Sequence, residues 1–110
     1  MAKISTVTLK GKSGQTYDFD VWAINQAFKA VAAVYAVTRR YQSANSGYSH
    51  DVIYIGQTED LSTRFDDHHK ADCFTKHKAN CICTHLDDDE DSRLAKEQDL
   101  IENYNPPCNG

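Results

Sequence analysis

The chain lacks any apolar run near the ~18 residues that a membrane helix needs, so no helical membrane partner is expected. Its opening residues, Met1-Ala2-Lys3-Ile4-Ser5-Thr6, lack the apolar block of a secretory leader, and a cytoplasmic location is the expectation. Repeats and low-complexity linkers are also missing. Nor is there an excess of positive charge. With 12 Lys and Arg against 16 Asp and Glu, the formal net charge is −4, whereas strong non-specific DNA binding needs basic groups that displace counterions from phosphates. Nothing directs export, so the four cysteines (Cys73, Cys81, Cys83 and Cys108) are read as reduced thiols rather than a disulfide framework. What remains is ordinary globular material: 110 residues, 40% apolar and 25% charged, enough for one compact core.

Val7 and Leu9, the turn Gly11-Lys12-Ser13-Gly14, then Tyr17 and Phe19 alternate as a β-hairpin, expected to be an accessory extension over residues 1–30. A short helical piece is expected from Ile24 to Ala30. Val31 to Val37 is apolar on both faces, as in an interior strand, and a loop from about Arg40 to Asp51 separates it from a second strand, Val52 to Gly56. Thr58 or Asp60 can cap a helix that carries Leu61 and Phe65 on its buried side and ends near Lys70. After an irregular stretch, Cys81 to Leu86 alternates as a third strand. The acidic run Asp87 to Asp91 then precedes a helix from about Ser92 to Asn103, closed by Pro106-Pro107. The fold class is α+β. A small antiparallel three-stranded sheet flanked by helices is expected over residues 31–110, with the N-terminal hairpin added to it.

Two buried-looking phenols stand out, Tyr35 in Ala33-Val34-Tyr35 and Tyr54 in Tyr54-Ile55-Gly56. An aromatic strand residue whose hydroxyl meets a backbone group explains each of them equally well. Glu97 is sharper. Leu94, Leu100, Ile101 and Tyr104 share one stripe of the last helix with Glu97 in its middle, and a carboxylate there must be protonated, paired with a cation or bound to a metal. It could also lie at the stripe's edge and pair with Lys96 or Arg93, or reach water. Arg64 and His68, four apart, offer a planar fork for phosphate and a proton-carrying imidazole, but an ordinary solvated pair is as good a reading, with Asp67 near enough to engage Arg64 or Lys70. Cys73, His77, Cys81 and Cys83 also have the chemistry of a zinc site, although their spacing is unusual and the last two suit a core.

Taken in order, Ala33-Val34-Tyr35, Tyr54-Ile55-Gly56, Arg64, Glu97 and Asn109 resemble the GIY-YIG nuclease superfamily, and His68 and His77 resemble the histidines of its homing-endonuclease branch. Ala33 and Val34 depart from that motif while keeping its strand character. The resemblance implies a DNA endonuclease that uses one Mg2+ (or Mn2+) and leaves a 5′-phosphate and a 3′-hydroxyl. Glu97 would be the sole protein ligand of the metal, and Arg64 would neutralise charge on the phosphate. Tyr35 would take the proton of the attacking water or pass it to His68. Tyr54 would contact the phosphate or orient the nucleophile, with Gly56, His77 and Asn109 supporting the site.

DNA is the expected partner and RNA stays open. Arg39 and Arg40, with Tyr41, are expected to touch DNA from the loop between the motif strands. Together with Arg64, Lys70, Lys76 and Lys78 they would form a locally basic face on an acidic chain. Asn109 is the penultimate residue, so specificity is expected from the hairpin, from self-association or from a DNA-targeting partner protein. The competing expectation is a non-catalytic nucleic-acid or protein-binding module that retains the fold.

Overall fold

The computed structural model describes residues 3–44, 47–65 and 68–109. Five strands, β1 (Ser5–Lys10), β2 (Thr16–Ala23), β3 (Ala33–Gln42), β4 (Tyr48–Thr58) and β5 (Cys81–Leu86), form one sheet in the order β1-β2-β5-β3-β4. Every pairing is antiparallel. Among the described residues three helices accompany it: α1 (Leu61–Arg64), α2 (Ala71–Lys76) and α3 (Glu90–Tyr104).

The expected three-stranded sheet is therefore a five-stranded one. The N-terminal hairpin extends that sheet, because β2 pairs directly with β5 from Asp20↔Thr84 to Ala23↔Cys81. Its apolar side supplies Phe19 and Val21, both fully buried, to the same core as Val34, Ala36, Ile55 and Leu100. Asp99 of α3 reinforces the join by accepting from the Ser13 N–H (2.9 Å), the Ser13 hydroxyl (2.7 Å) and the Tyr17 hydroxyl (2.8 Å). The hairpin turn is thereby tied to a helix 86 residues later in the chain.

β3 is buried at every residue from Ala33 to Thr38, because α3 covers one face of the sheet and α1 and α2 the other. Alternation then sorts the side chains. Val34 and Ala36 turn toward α3, while Ala33, Tyr35 and Val37 turn toward Leu61 and Phe74. The region expected to be a loop is mostly strand, since β3 runs on to Gln42 and β4 begins at Tyr48, with a bulge between Val37 and Thr38.

The helices also differ from expectation. No helix forms between Ile24 and Ala30, where a single Gln26 N–H to Ala23 C=O turn is found. Asp60 caps α1 through Ser62 as its residue type suggests, but the helix stops at Arg64, so His68 is not one helical turn above it. Asp67 lies outside the described residues. The stretch read as irregular contains α2. In α3, Asp89 of the acidic run caps the N-terminus by accepting from the Ser92 N–H, and Asn105 ends the helix in the left-handed region (φ 43°) just before Pro106. Leu94 is exposed, and the buried stripe is led instead by Arg93.

Cys73 and Cys108 are joined as a disulfide rather than standing as reduced thiols. The tail turns back after α3 and runs along β4, the sheet's edge, which carries Cys108 to α2. The Cys108 N–H donates to the Ile53 carbonyl (3.0 Å), while Asn109 accepts from the Ile55 N–H and donates to the Ile55 carbonyl (both 2.8 Å). An edge strand with open backbone groups is a pairing hazard, and the tail closes this one.

Truncating Phe19 to alanine should cost about 3–5 kcal/mol, as for a core aromatic. Urea unfolding should show this as a lower midpoint of one whole-chain transition; a loss below about 1 kcal/mol would mean that the hairpin is accessory after all.

Candidate active site

Tyr35 and Gly56 face each other across β3 and β4. A Cβ at Gly56 would stand 2.5 Å from the Tyr35 Cζ and hydroxyl, so the ring occupies the space that only glycine leaves open. Phe65 meets the ring edge-on at 4.9 Å, and Tyr54 lies alongside at 6.0 Å. Packing thus fixes the phenol in a fully buried position.

Two groups converge on that oxygen. Arg64 donates from Nε at 3.0 Å, and His68 Nε2 lies 2.9 Å away. The direction of the second bond follows from the other side of the ring. The Lys70 backbone N–H can only donate, and it donates to His68 Nδ1 at 3.0 Å, so the neutral imidazole carries its proton on Nε2 and gives that hydrogen to Tyr35. A histidine already protonated on the facing nitrogen cannot receive a proton from the phenol, which closes the expected hand-off from Tyr35 to His68.

Electrostatics agree with this arrangement. Burial, then Arg64, His69 and Lys70, lower the His68 pKa to about 4, so the ring is neutral near pH 7. Burial raises the Tyr35 pKa above that of an ordinary phenol and Tyr54 adds to the rise, while the Arg64 guanidinium opposes it. In the resting protein Tyr35 is a phenol that accepts two N–H donors. Tyr54 is itself nearly buried, with its ring edge-on to His68 at 5.2 Å and close to Phe74 at 5.5 Å.

Glu97 is half-buried on α3. Neither expected partner takes it: Lys96 bonds Asp87 and His85, and Arg93 bonds the Gln57 side chain (3.0 Å) and the Asp87 carbonyl (3.1 Å). Among the described residues no hydrogen bond or ion pair holds its carboxylate. Burial raises its pKa and the charge of Arg64 lowers it, which places the two groups within electrostatic reach of each other. Beside them, Gln57, Thr58, Glu59, Arg64, Glu90 and Arg93 line an open polar cleft of about 330 Å³.

Arg93 is the residue that sequence reasoning missed. It is 3% exposed yet lines the cleft. The signal was its position four residues before Glu97 on the same helical stripe, which Leu94 had been expected to lead.

Tyr35, Tyr54, Gly56, Arg64 and His68 thus form one cluster, and the charge of its arginine is felt by Glu97. Other candidates lie elsewhere. Arg39 pairs with Asp51 (2.7 Å) and Arg40 stacks on Tyr48 (3.7 Å), both toward the far end of β3 and β4. Asn109 holds the backbone of Ile55 rather than a side chain of the cluster. His77 stands beside Cys73 and Cys108. Cys81 and Cys83 belong to the core under α3, whereas Cys73 packs on the opposite face, so these three cannot share one ion.

Replacing Gly56 by alanine should push the Tyr35 ring off its two donors and cost about 1–3 kcal/mol through overpacking, read by chemical denaturation. His68 gives a pH signature. Its folded pKa lies below the ordinary value of 6.5, so stability is complete above about pH 6.5 and is lost as the pH falls toward 4, where only the unfolded chain binds the proton. His68→Gln should flatten that part of the stability–pH curve, and nitrogen NMR of the parent at pH 7 should find the proton on Nε2.

A comparison with family models matches the GIY-YIG catalytic domain over residues 32–110. Comparisons with curated proteins and with solved structures gave no match. The matched span runs from the start of β3 through the tail that closes β4, and so takes in the whole cluster around Tyr35 together with Glu97: the chain belongs to the GIY-YIG catalytic domain family.

Proposed function

We propose that the protein is a divalent-metal-dependent endonuclease that hydrolyses DNA phosphodiester bonds at the cleft beside Tyr35. The observation that carries this reading is the Tyr35 oxygen, which meets both Arg64 Nε and His68 Nε2, while Glu97, a carboxylate with no partner among the described residues, feels the charge of the same arginine.

A resident metal fits the residues present. Glu97 is a half-buried hard oxygen donor with no partner among the described residues, and Mg2+ or Mn2+ commonly binds through one or two carboxylates while keeping most of its waters. When bound, such an ion would supply Lewis-acid polarisation of a phosphoryl oxygen and stabilise the leaving oxygen. Protonation of Glu97, which burial favours, would oppose binding at low pH.

The chain's own groups do the rest. Arg64 spends Nε on Tyr35, so its terminal nitrogens are the part of the guanidinium that can meet non-bridging phosphate oxygens as charge grows on them. Two N–H donors on one phenolic oxygen favour its ionised form, against the burial that disfavours it. In that form Tyr35 can take the proton of an attacking water. His68 acts as a donor that steadies the phenolate. Tyr54 packs the imidazole edge-on and so keeps it in place. Positioning of this kind does not need a strong base at rest; it needs the receiving oxygen to be pre-oriented.

DNA contact is assigned to the cleft's guanidiniums and to the extended arms of β3 and β4, where Arg40 over Tyr48 and Arg39 over Tyr41 (4.6 Å) present stacked cation–aromatic surfaces. RNA would meet the same chemistry, and a comparison of substrates decides between them.

Plasmid nicking tests the reading. The parent should nick with Mg2+ or Mn2+, and Glu97→Gln should abolish nicking while the far-UV circular dichroism stays unchanged. Arg64→Ala should reduce the rate by about a hundredfold or more, the scale of losing one transition-state donor. A parent that never nicks with either ion would make the protein a binding module on this fold, and undiminished nicking by Glu97→Gln would remove Glu97 from the site.

A further inference from the structure

On the side of the sheet that carries α2, a second group of metal-binding side chains has nothing to do with the cleft. Cys73 and His77 are four residues apart, at the start of one helical turn and its close, and the His77 N–H donates to the Cys73 carbonyl at 3.1 Å. Both residues are half-buried. Cys108, 1% exposed, arrives from the tail. The two sulfurs and the nearest imidazole nitrogen all lie within 4.8 Å of one another.

In the oxidised chain the sulfurs are bonded to each other and can hold no ion. We infer that, once the disulfide is reduced, Cys73, His77 and Cys108 form a three-ligand site for a zinc-class ion that ties α2 to the C-terminal tail. A cellular dithiol is the reductant required: it gives two electrons and two protons to the disulfide, yields two thiols and is itself oxidised to a disulfide. Binding of the ion then releases the two thiol protons, because thiolates and a neutral imidazole are the ligating forms. Thiolate sulfurs about 2.3 Å from a tetrahedral ion stand roughly 3.8 Å apart, a separation compatible with three ligand atoms that already lie within 4.8 Å of one another. Soft sulfur with imidazole selects zinc over the hard ions that suit Glu97. The fourth position is left for water.

The site's location gives it a consequence. Cys108 and Asn109 cover the edge of β4 at Ile53 and Ile55, immediately beside Tyr54 and Gly56. Disulfide and ion are alternative fasteners for one clamp, so the tail is held under oxidising and under reducing conditions alike.

The test uses the full chain and cobalt as the spectroscopic probe, and its readout is independent of nuclease activity. Reduced protein, freed of reductant without air, should develop a thiolate-to-cobalt charge-transfer band and the intense visible bands of a tetrahedral ion, and zinc should bleach both. Oxidised protein should show neither. Cys73→Ser and Cys108→Ser should each weaken the charge-transfer band and the affinity. His77→Ala, whose side chain is not part of the core, should weaken binding by about tenfold or more, at least the scale seen when only a ligand's outer support is lost. The double change Cys81→Ser with Cys83→Ser should leave the spectrum as it was wherever that variant folds, and His77→Ala decides the matter if it does not. Absence of the bands in the reduced parent, or full-strength binding by His77→Ala, would overturn the assignment.

Discussion

The site rests on one close approach, the ring of Tyr35 lying over the missing side chain of Gly56. Because that contact is set by the pairing of β3 with β4, a one-residue slip would turn Tyr35 toward α3 and leave Arg64 and His68 with no phenol between them. The rings of Phe65 and Tyr54 then hold the group by packing, and Phe74 in turn packs on Tyr54. What results is a polar oxygen in a rigid apolar cage, met by two donors whose positions come from a short helix and the turn after it. The cost of burying the phenol is offset by those two bonds, which is why its oxygen can be fully buried.

The rest of the fold keeps that register. β3 lies between β5 and β4, so its alignment is fixed from both sides, and the hairpin continues the sheet beyond β5 under the cover of α3. Asp99 and the tail act at opposite edges. The first fastens the β1–β2 turn to α3, and the second closes the outer edge of β4 next to the motif residues. The candidate site and the stability of the fold therefore share elements: within four residues α3 carries the half-buried Glu97, sends Leu100 into the core and ties Asp99 to the hairpin.

Much of this was legible in the residues. The apolar run around Tyr35, the alternation of Cys81 to Leu86 and the acidic cap of α3 each carry a local signal strong enough to survive tertiary packing. Glu97 was conspicuous for the same reason, as a charge on an apolar stripe. The misses have physical causes. The pairing of β2 with β5 in the interior of the sheet joins segments some 60 residues apart, and no local pattern encodes it. Arg93 hides because a buried arginine satisfied by Gln57 and a backbone carbonyl looks, in sequence, like any solvated helix cation. The expected helical pairing of Arg64 with His68 failed since α1 ends early, yet both side chains still reach Tyr35 from separate directions. The Cys73–Cys108 link depended on where the tail returns, which the spacing of the cysteines does not reveal.

The cleft itself is of mixed charge, Arg64 and Arg93 standing with Glu59 and Glu90, so its chemistry depends on how individual groups are placed rather than on net charge. The central claim is that Glu97 and the Tyr35 cluster form a single metal-assisted site. An anomalous difference map from crystals grown with manganese and a short DNA duplex tests it most directly. The account expects one strong peak bonded to a Glu97 carboxylate oxygen, with the nearest phosphate between that ion and Arg64. An ion bound elsewhere, with Glu97 turned to water or paired to Arg64 instead, would contradict it.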